Sequence, residues 1–100
     1  MTDHRLEPTP ETVHWGFFDA TLKPALSVAS GSSVTIRTVS GGADILPSAS
    51  SGLAVLPEHR RIIETLKPVL PGHILTGPVA IEGAAPGDVL EVRIDDVRLI

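Results

Sequence analysis

The sequence has no cysteine and no tyrosine, and aromatic residues make up only 3% of its 100 positions. Without cysteine there are no disulfides and no thiolate metal sites, a usage compatible with a reducing cytoplasm. Trp15, Phe17 and Phe18 are the whole aromatic complement, and they stand together. That clustering argues against a carbohydrate-stacking platform and leaves the core to Val, Ile, Leu and Ala. No apolar run approaches the roughly 20 residues of a membrane helix. The opening Met1-Thr2-Asp3-His4-Arg5 has no signal-peptide core. Positive charge is also scarce: 8 Lys and Arg stand against 12 Asp and Glu, for a net charge of −4. A nucleic-acid-binding face wants a basic patch, so that class is disfavoured. There is no Gly-x-Ser-x-Gly elbow, no phosphate loop, and no His-x-His or His-x-x-x-His metal spacing.

What is present is short alternation. A chain of this length is one domain or a piece of one, and buries roughly two-thirds of its unfolded surface. Residues 1–11 are polar and carry Pro8 and Pro10, which predicts an extended arm. Thr12 to Phe18 alternates, with Val13, Trp15 and Phe17 on one face and His14 on the other. Asp19 to Pro24 reads as a turn and Ala25 to Ala29 as a second strand. After the turn Ser30 to Ser33, Val34 to Val39 alternates again, and Ser40-Gly41-Gly42 ends it. Residues 43–56 read as a flexible surface loop.

Pro57 opens a short helix running to Leu66, about residues 57–67 with its exit, and Pro68 stops it. His59, Ile62, Ile63 and Leu66 form its apolar stripe. The segment from His73 to Val92 then organises the rest as strand, turn, strand. Val79 and Ile81 alternate, Pro86-Gly87-Asp88 suits a tight turn, and Leu90, Val92 and Ile94 share one face. Val97 and Leu99 are out of phase with them, which calls for a bulge at Asp95-Asp96. By this alternation the chain stops mid-strand, on apolar Leu99-Ile100. The expectation is therefore a mainly β fold, sandwich- or barrel-like with one short helix. Residues 1–100 are read as the N-terminal portion of a larger β-rich domain.

Four blocks carry a resemblance. They are Glu11-Thr-Val-His-Trp-Gly-Phe-Phe-Asp19, Ser30-Gly31 with its Val-Thr-Ile strand, His73-Ile-Leu-Thr-Gly-Pro78, and Glu82-Gly-Ala-Ala-Pro-Gly-Asp-Val-Leu-Glu-Val92. Together, in this order, they resemble the start of the acetamidase/formamidase family. The resemblance implies a β-rich, metal-dependent amidohydrolase that converts short aliphatic amides to ammonia and a carboxylate. It implies a divalent ion, zinc or calcium, with most ligands outside this chain. It also implies a homo-oligomer in the full-length protein, in the cytoplasm, with no nucleic-acid or membrane partner. Family members are longer, so the chain is expected to be inactive alone. The alternative is a non-catalytic β module for assembly or protein interaction.

Amide hydrolysis needs an activated water or nucleophile, a stabilised oxyanion and a protonated leaving amine. The candidate catalytic residues are His14, Asp19 and His73, with Thr76 beside them. His14 sits on the strand face opposite the apolar residues, Asp19 closes that strand, and His73 precedes another. Each also fits a plain structural role: a strand histidine, an Asx turn, a loop histidine bonded to backbone. Asp95-Asp96 suits a bulge better than a cation site.

Overall fold

The computed structural model describes residues 3–100. Its strands are short because glycine and proline interrupt the alternation every few residues. Among the described residues they are β1 (Asp3–Leu6), β2 (Val13–Trp15), β3 (Leu26–Val28), β4 (Ser33–Ile36), β5 (Ile74–Thr76) and β6 (Val79–Ile81), with one helix, α1 (Pro57–Thr65). They pair as three two-stranded sheets and form no closed barrel. β1 runs parallel to β4, with Leu6 opposite Ile36. β2 runs antiparallel to β5, with His14 opposite Leu75 and Trp15 opposite Ile74. β3 runs parallel to β6, with Val28 opposite Ile81. The mainly β expectation with one short helix holds.

The arm expected over residues 1–11 is different in part. Its first two residues lie outside the described residues, and Asp3–Leu6 is a paired strand. Pro8 and Pro10 deny a ladder only their own N–H groups, so the residues upstream remain free to pair. Pro8 is itself fully buried, and Leu6 is buried as well. The strand expected from Thr12 to Phe18 is trimmed to Val13–Trp15, because Gly16 turns the chain at φ 87°. The strand expected to reach Val39 stops at Ile36. Residues 43–56 are not all loop: Ala43–Ile45 and Ala49–Ser51 are single 3-10 turns.

The core forms where β2 and β5 meet α1. Trp15, Val39, Ile62 and Ile74 are buried together, and Val13, Leu56, Ile63 and Leu66 pack against them. Pro57 starts the helix at a position whose N–H has no intrahelical acceptor to lose. Ile62 is 0% exposed and Ile63 half-buried, so the apolar stripe read from spacing is the face that packs. Beside this core, Arg37 Nη1 lies 3.1 Å from Glu7 Oε2 and 3.0 Å from Glu58 Oε2, and Arg5 Nη2 lies 3.1 Å from Glu7 Oε1. Partial burial raises the Glu7 carboxyl, but hydrogen bonds and charge from Arg5 and Arg37 outweigh it and hold the group below its ordinary 4.5. The group stays ionised and ties the start of the chain to β4, and through Arg37 to the helix.

The largest departure lies at the C-terminal end. The turn at Pro86-Gly87 is present, with Asp88 N–H donating to Ala85 O at 3.1 Å and Gly87 at φ 96°. Beyond it, the expected strands over Leu90–Ile94 and Val97–Leu99 are absent, and so is the bulge at Asp95-Asp96. Every residue from 82 to 100 is exposed, Val89 at 95% and Leu99 at 100%. The ordered contacts here are local ion pairs, Arg93 Nε to Glu91 Oε1 at 2.8 Å and Arg98 Nε to Asp96 Oδ2 at 2.6 Å. Alternation makes a segment fit to be a strand, but a ladder needs a neighbour's edge, and none of β1–β6 pairs with this segment. The molecule measures 48 × 28 × 18 Å, with a radius of gyration of 15.3 Å. A packed 100-residue domain would have about 13 Å.

Candidate functional site

β2 and β5 are held in register by the core beneath them and by backbone bonds at both ends. Gly16 N–H donates to His73 O at 3.0 Å, and Gly77 N–H donates to Thr12 O at 2.8 Å. The Trp15 indole Nε1–H donates to Gly72 O at 3.2 Å, which pins the approach to His73. Val69 N–H adds a bond to Trp15 O at 3.1 Å.

A groove of about 750 Å³ lies over this ribbon. That is the size of an ordinary small-molecule site, generally about 300–1,000 Å³. Its lining includes His14, Asp19, His73 and Thr76, all four residues singled out from the sequence, together with Ser40 and Phe18. Consecutive residues of β5 contribute, so both faces of its pleat reach the groove. His4 lies in β1 and His59 in α1, and neither lines it.

His14 is half-buried, and its ring lies 5.3 Å from that of Phe17 at a 59° tilt. Its Nδ1 is buried and has no hydrogen-bond partner, and the Thr76 hydroxyl is in the same condition. Leaving a buried polar atom unpaired generally costs about 1–3 kcal/mol. Both residues line the groove. Asp19 is exposed and does the work of an Asx turn. Its Oδ1 accepts the Thr21 hydroxyl at 2.6 Å and the Thr21 N–H at 2.8 Å. Those two bonds hold its carboxyl below its ordinary 3.8, as an anion at the rim.

In the sequence, Ser40 marks only the end of a strand. Its Oγ lies 3.0 Å from His73 Nδ1. The two residues are 33 positions apart, and no spacing rule connects them. Buried Val39 and buried Ile74, their respective chain neighbours, bring them together through the core.

No group of three His, Cys, Asp or Glu among the described residues is placed to hold a metal ion. The implied zinc or calcium thus lacks a donor set here, and Asp19 already spends one oxygen on Thr21. Among the described residues no helix is long and apolar enough to cross a membrane.

No curated protein and no solved structure matches the chain. A family model does match, from within α1 through β5 and β6 into the exposed ribbon. Over residues 60–100, a stretch that contains His73 and Thr76, this chain is similar to the Acetamidase/Formamidase family.

Proposed function

We propose that the chain carries part of the active site of a hydrolase of short aliphatic amides, which turns formamide or acetamide into ammonia and a carboxylate. The observation that carries this reading is the family match over residues 60–100, because that stretch delivers His73 and Thr76 to the groove. In this reading water adds to the amide carbonyl carbon while an imidazole takes its proton. Collapse of the tetrahedral species breaks the C–N bond, and the nitrogen leaves as ammonia with that proton. His73 and His14 are the proton-transfer candidates. The unpaired Thr76 hydroxyl is a donor for the oxygen on which negative charge develops. Asp19, ionised and held by Thr21, places a negative charge at the rim. A divalent ion, zinc or calcium, belongs to this reading only with ligands from outside the described residues. A cytoplasmic homo-oligomer is the setting that accords with it.

The test is ammonia release from formamide and acetamide, with and without added zinc or calcium, by this chain and by any longer polypeptide containing it. Release above background is expected from the longer polypeptide, and His73→Ala there should lower it by about 10²–10⁴-fold. No release from either under any metal condition overturns the reading. A rate indifferent to His73→Ala removes that residue from the site.

The exposed ribbon supports a second reading, a β module that assembles through residues 89–100. Val89, Leu90, Val92, Ile94, Val97 and Leu99 are all exposed, and large exposed apolar patches mark interaction surfaces. Sedimentation velocity should then show concentration-dependent association that Val92→Lys weakens. A monomer at every concentration would dispose of that reading.

A further inference from the structure

We infer that Ser40 is a positioning residue for His73: its hydroxyl accepts the Nδ1–H of the imidazole and thereby leaves Nε2 as the unprotonated nitrogen available in the groove. The inference rests on the amide-hydrolase reading for its purpose, but not for its geometry. Ser40 Oγ lies 3.0 Å from His73 Nδ1. Among the described residues no hydrogen bond engages Nε2.

An exposed serine–histidine contact on a mobile loop would mean little, because each side chain would lose rotamer freedom for one water-competed bond. This contact is exposed too, but it is carried on backbone that is held from several directions. Val39, immediately before Ser40, is buried among Trp15, Ile62 and Ile74. Gly41, immediately after it, is buried, and its carbonyl accepts from His59 Nε2 at 2.8 Å. A carbonyl can only accept, so His59 carries its proton on Nε2, and α1 thereby clamps the serine segment. On the other side, the His73 carbonyl accepts from Gly16 N–H at 3.0 Å, and Ile74 is in the core. The serine and the histidine are each one residue from a core anchor, so the pair is oriented before any ligand arrives.

Orientation decides chemistry because the two imidazole nitrogens are not equivalent. In a neutral ring one carries the proton and the other the lone pair, and a hydrogen bond to one selects the role of the other. With Nδ1–H directed at the serine oxygen, Nε2 presents a lone pair that can take a proton from water. With the opposite tautomer, Nε2 would present a proton and could act only as a donor. Histidines that act as ligands or bases are oriented in the same manner by an acceptor on their far nitrogen. Here a hydroxyl would fill that place. A hydroxyl can donate as well as accept, so the held geometry supplies the bond and the experiment reads its direction.

The experiment is long-range ¹H–¹⁵N NMR of the imidazole groups in the intact chain at about pH 9, where histidine rings are neutral. The resonances of His4, His14, His59 and His73 are assigned by single substitutions. His73 is expected mainly in the Nδ1–H form. Ser40→Ala should move the tautomer ratio about five-fold toward Nε2–H, the equilibrium equivalent of one ordinary hydrogen bond. Ser40→Thr, which keeps the hydroxyl, should restore it. A His73 ring found in the Nε2–H form in the unsubstituted protein overturns the inference, and so does a ratio unchanged by Ser40→Ala. Because the unsubstituted spectrum alone can decide, a variant that does not fold leaves the question answerable. The readout is independent of catalysis: absent ammonia release with the predicted tautomer shift would fail the hydrolase reading and leave the positioning role standing. Where release is observed, Ser40→Ala should lower kcat with little change in KM.

Discussion

Trp15→Ala will cost about 3–5 kcal/mol of folding stability, the usual loss when a large buried aromatic is truncated. For a domain whose whole stability is generally about 5–15 kcal/mol, that is a large share. Trp15 sits at the centre of the core, 6% exposed, against Val39, Ile62 and Ile74. It is the largest side chain in a protein with only two other aromatics, so nothing nearby can fill the space it leaves. Its indole N–H also holds the Gly72 carbonyl, which leads into His73. Trp15→Phe separates the two contributions. It keeps most of the ring volume and deletes the hydrogen bond, and should cost about 1–2 kcal/mol. Urea unfolding followed by far-ultraviolet circular dichroism is the appropriate measurement, since Trp15 is the sole tryptophan and its fluorescence vanishes with it. A loss below about 1 kcal/mol for the alanine variant would mean that the core does not depend on this ring.

Gly16→Ala should be nearly as damaging, and its partner experiment, Gly31→Ala, should be mild. Both glycines have φ 87°, so both substitutions carry the same conformational penalty, roughly 1–2 kcal/mol for an L-residue in that region. Their surroundings differ. A methyl group at Gly31 meets nothing within 4 Å, whereas one at Gly16 would fall on the backbone carbonyl of Leu70. Backbone cannot swing aside as a side-chain tip can. The Leu70 segment is moreover tied to β2 through the Val69 N–H to Trp15 O bond. Relieving the overlap should cost about 1–3 kcal/mol more, as overpacking generally does. The excess of Gly16→Ala over Gly31→Ala, read from urea midpoints by Trp15 fluorescence, isolates that close approach. Equal losses at the two positions would show that the Gly16–Leu70 contact is not tight. The Gly16 N–H also donates to the His73 carbonyl, so the same substitution should disturb the groove.

Some of the site was legible in the residues and some was not. Strand phase and the family resemblance single out His14, Asp19, His73 and Thr76, and the fold brings all four to one groove. Phase alone puts His14 on the face away from Trp15, because successive side chains of a strand point opposite ways. The Asx role of Asp19 is also local, since its partner is two residues away. Ser40 was invisible for the converse reason. Its link to His73 depends on Val39 and Ile74 sharing a core, and no feature of Ser40-Gly41-Gly42 announces that.

The same division runs through the fold. Residue order by itself determined what is settled within a few positions. Pro57 and the stripe around Ile62 set the helix, Pro86-Gly87 set the turn, and alternation set which side of β2 would be buried. Tertiary structure decided what depends on a distant partner. It made Asp3–Leu6 a strand by laying it beside β4, and it paired β3 with β6 rather than β6 with the ribbon that follows it. It also left the well-patterned residues 89–100 without a ladder. A helix closes its hydrogen bonds inside its own segment, so nearby residues suffice to specify it. A strand's hydrogen bonds belong to another part of the chain, so its pattern states a capacity and the fold decides whether it is used.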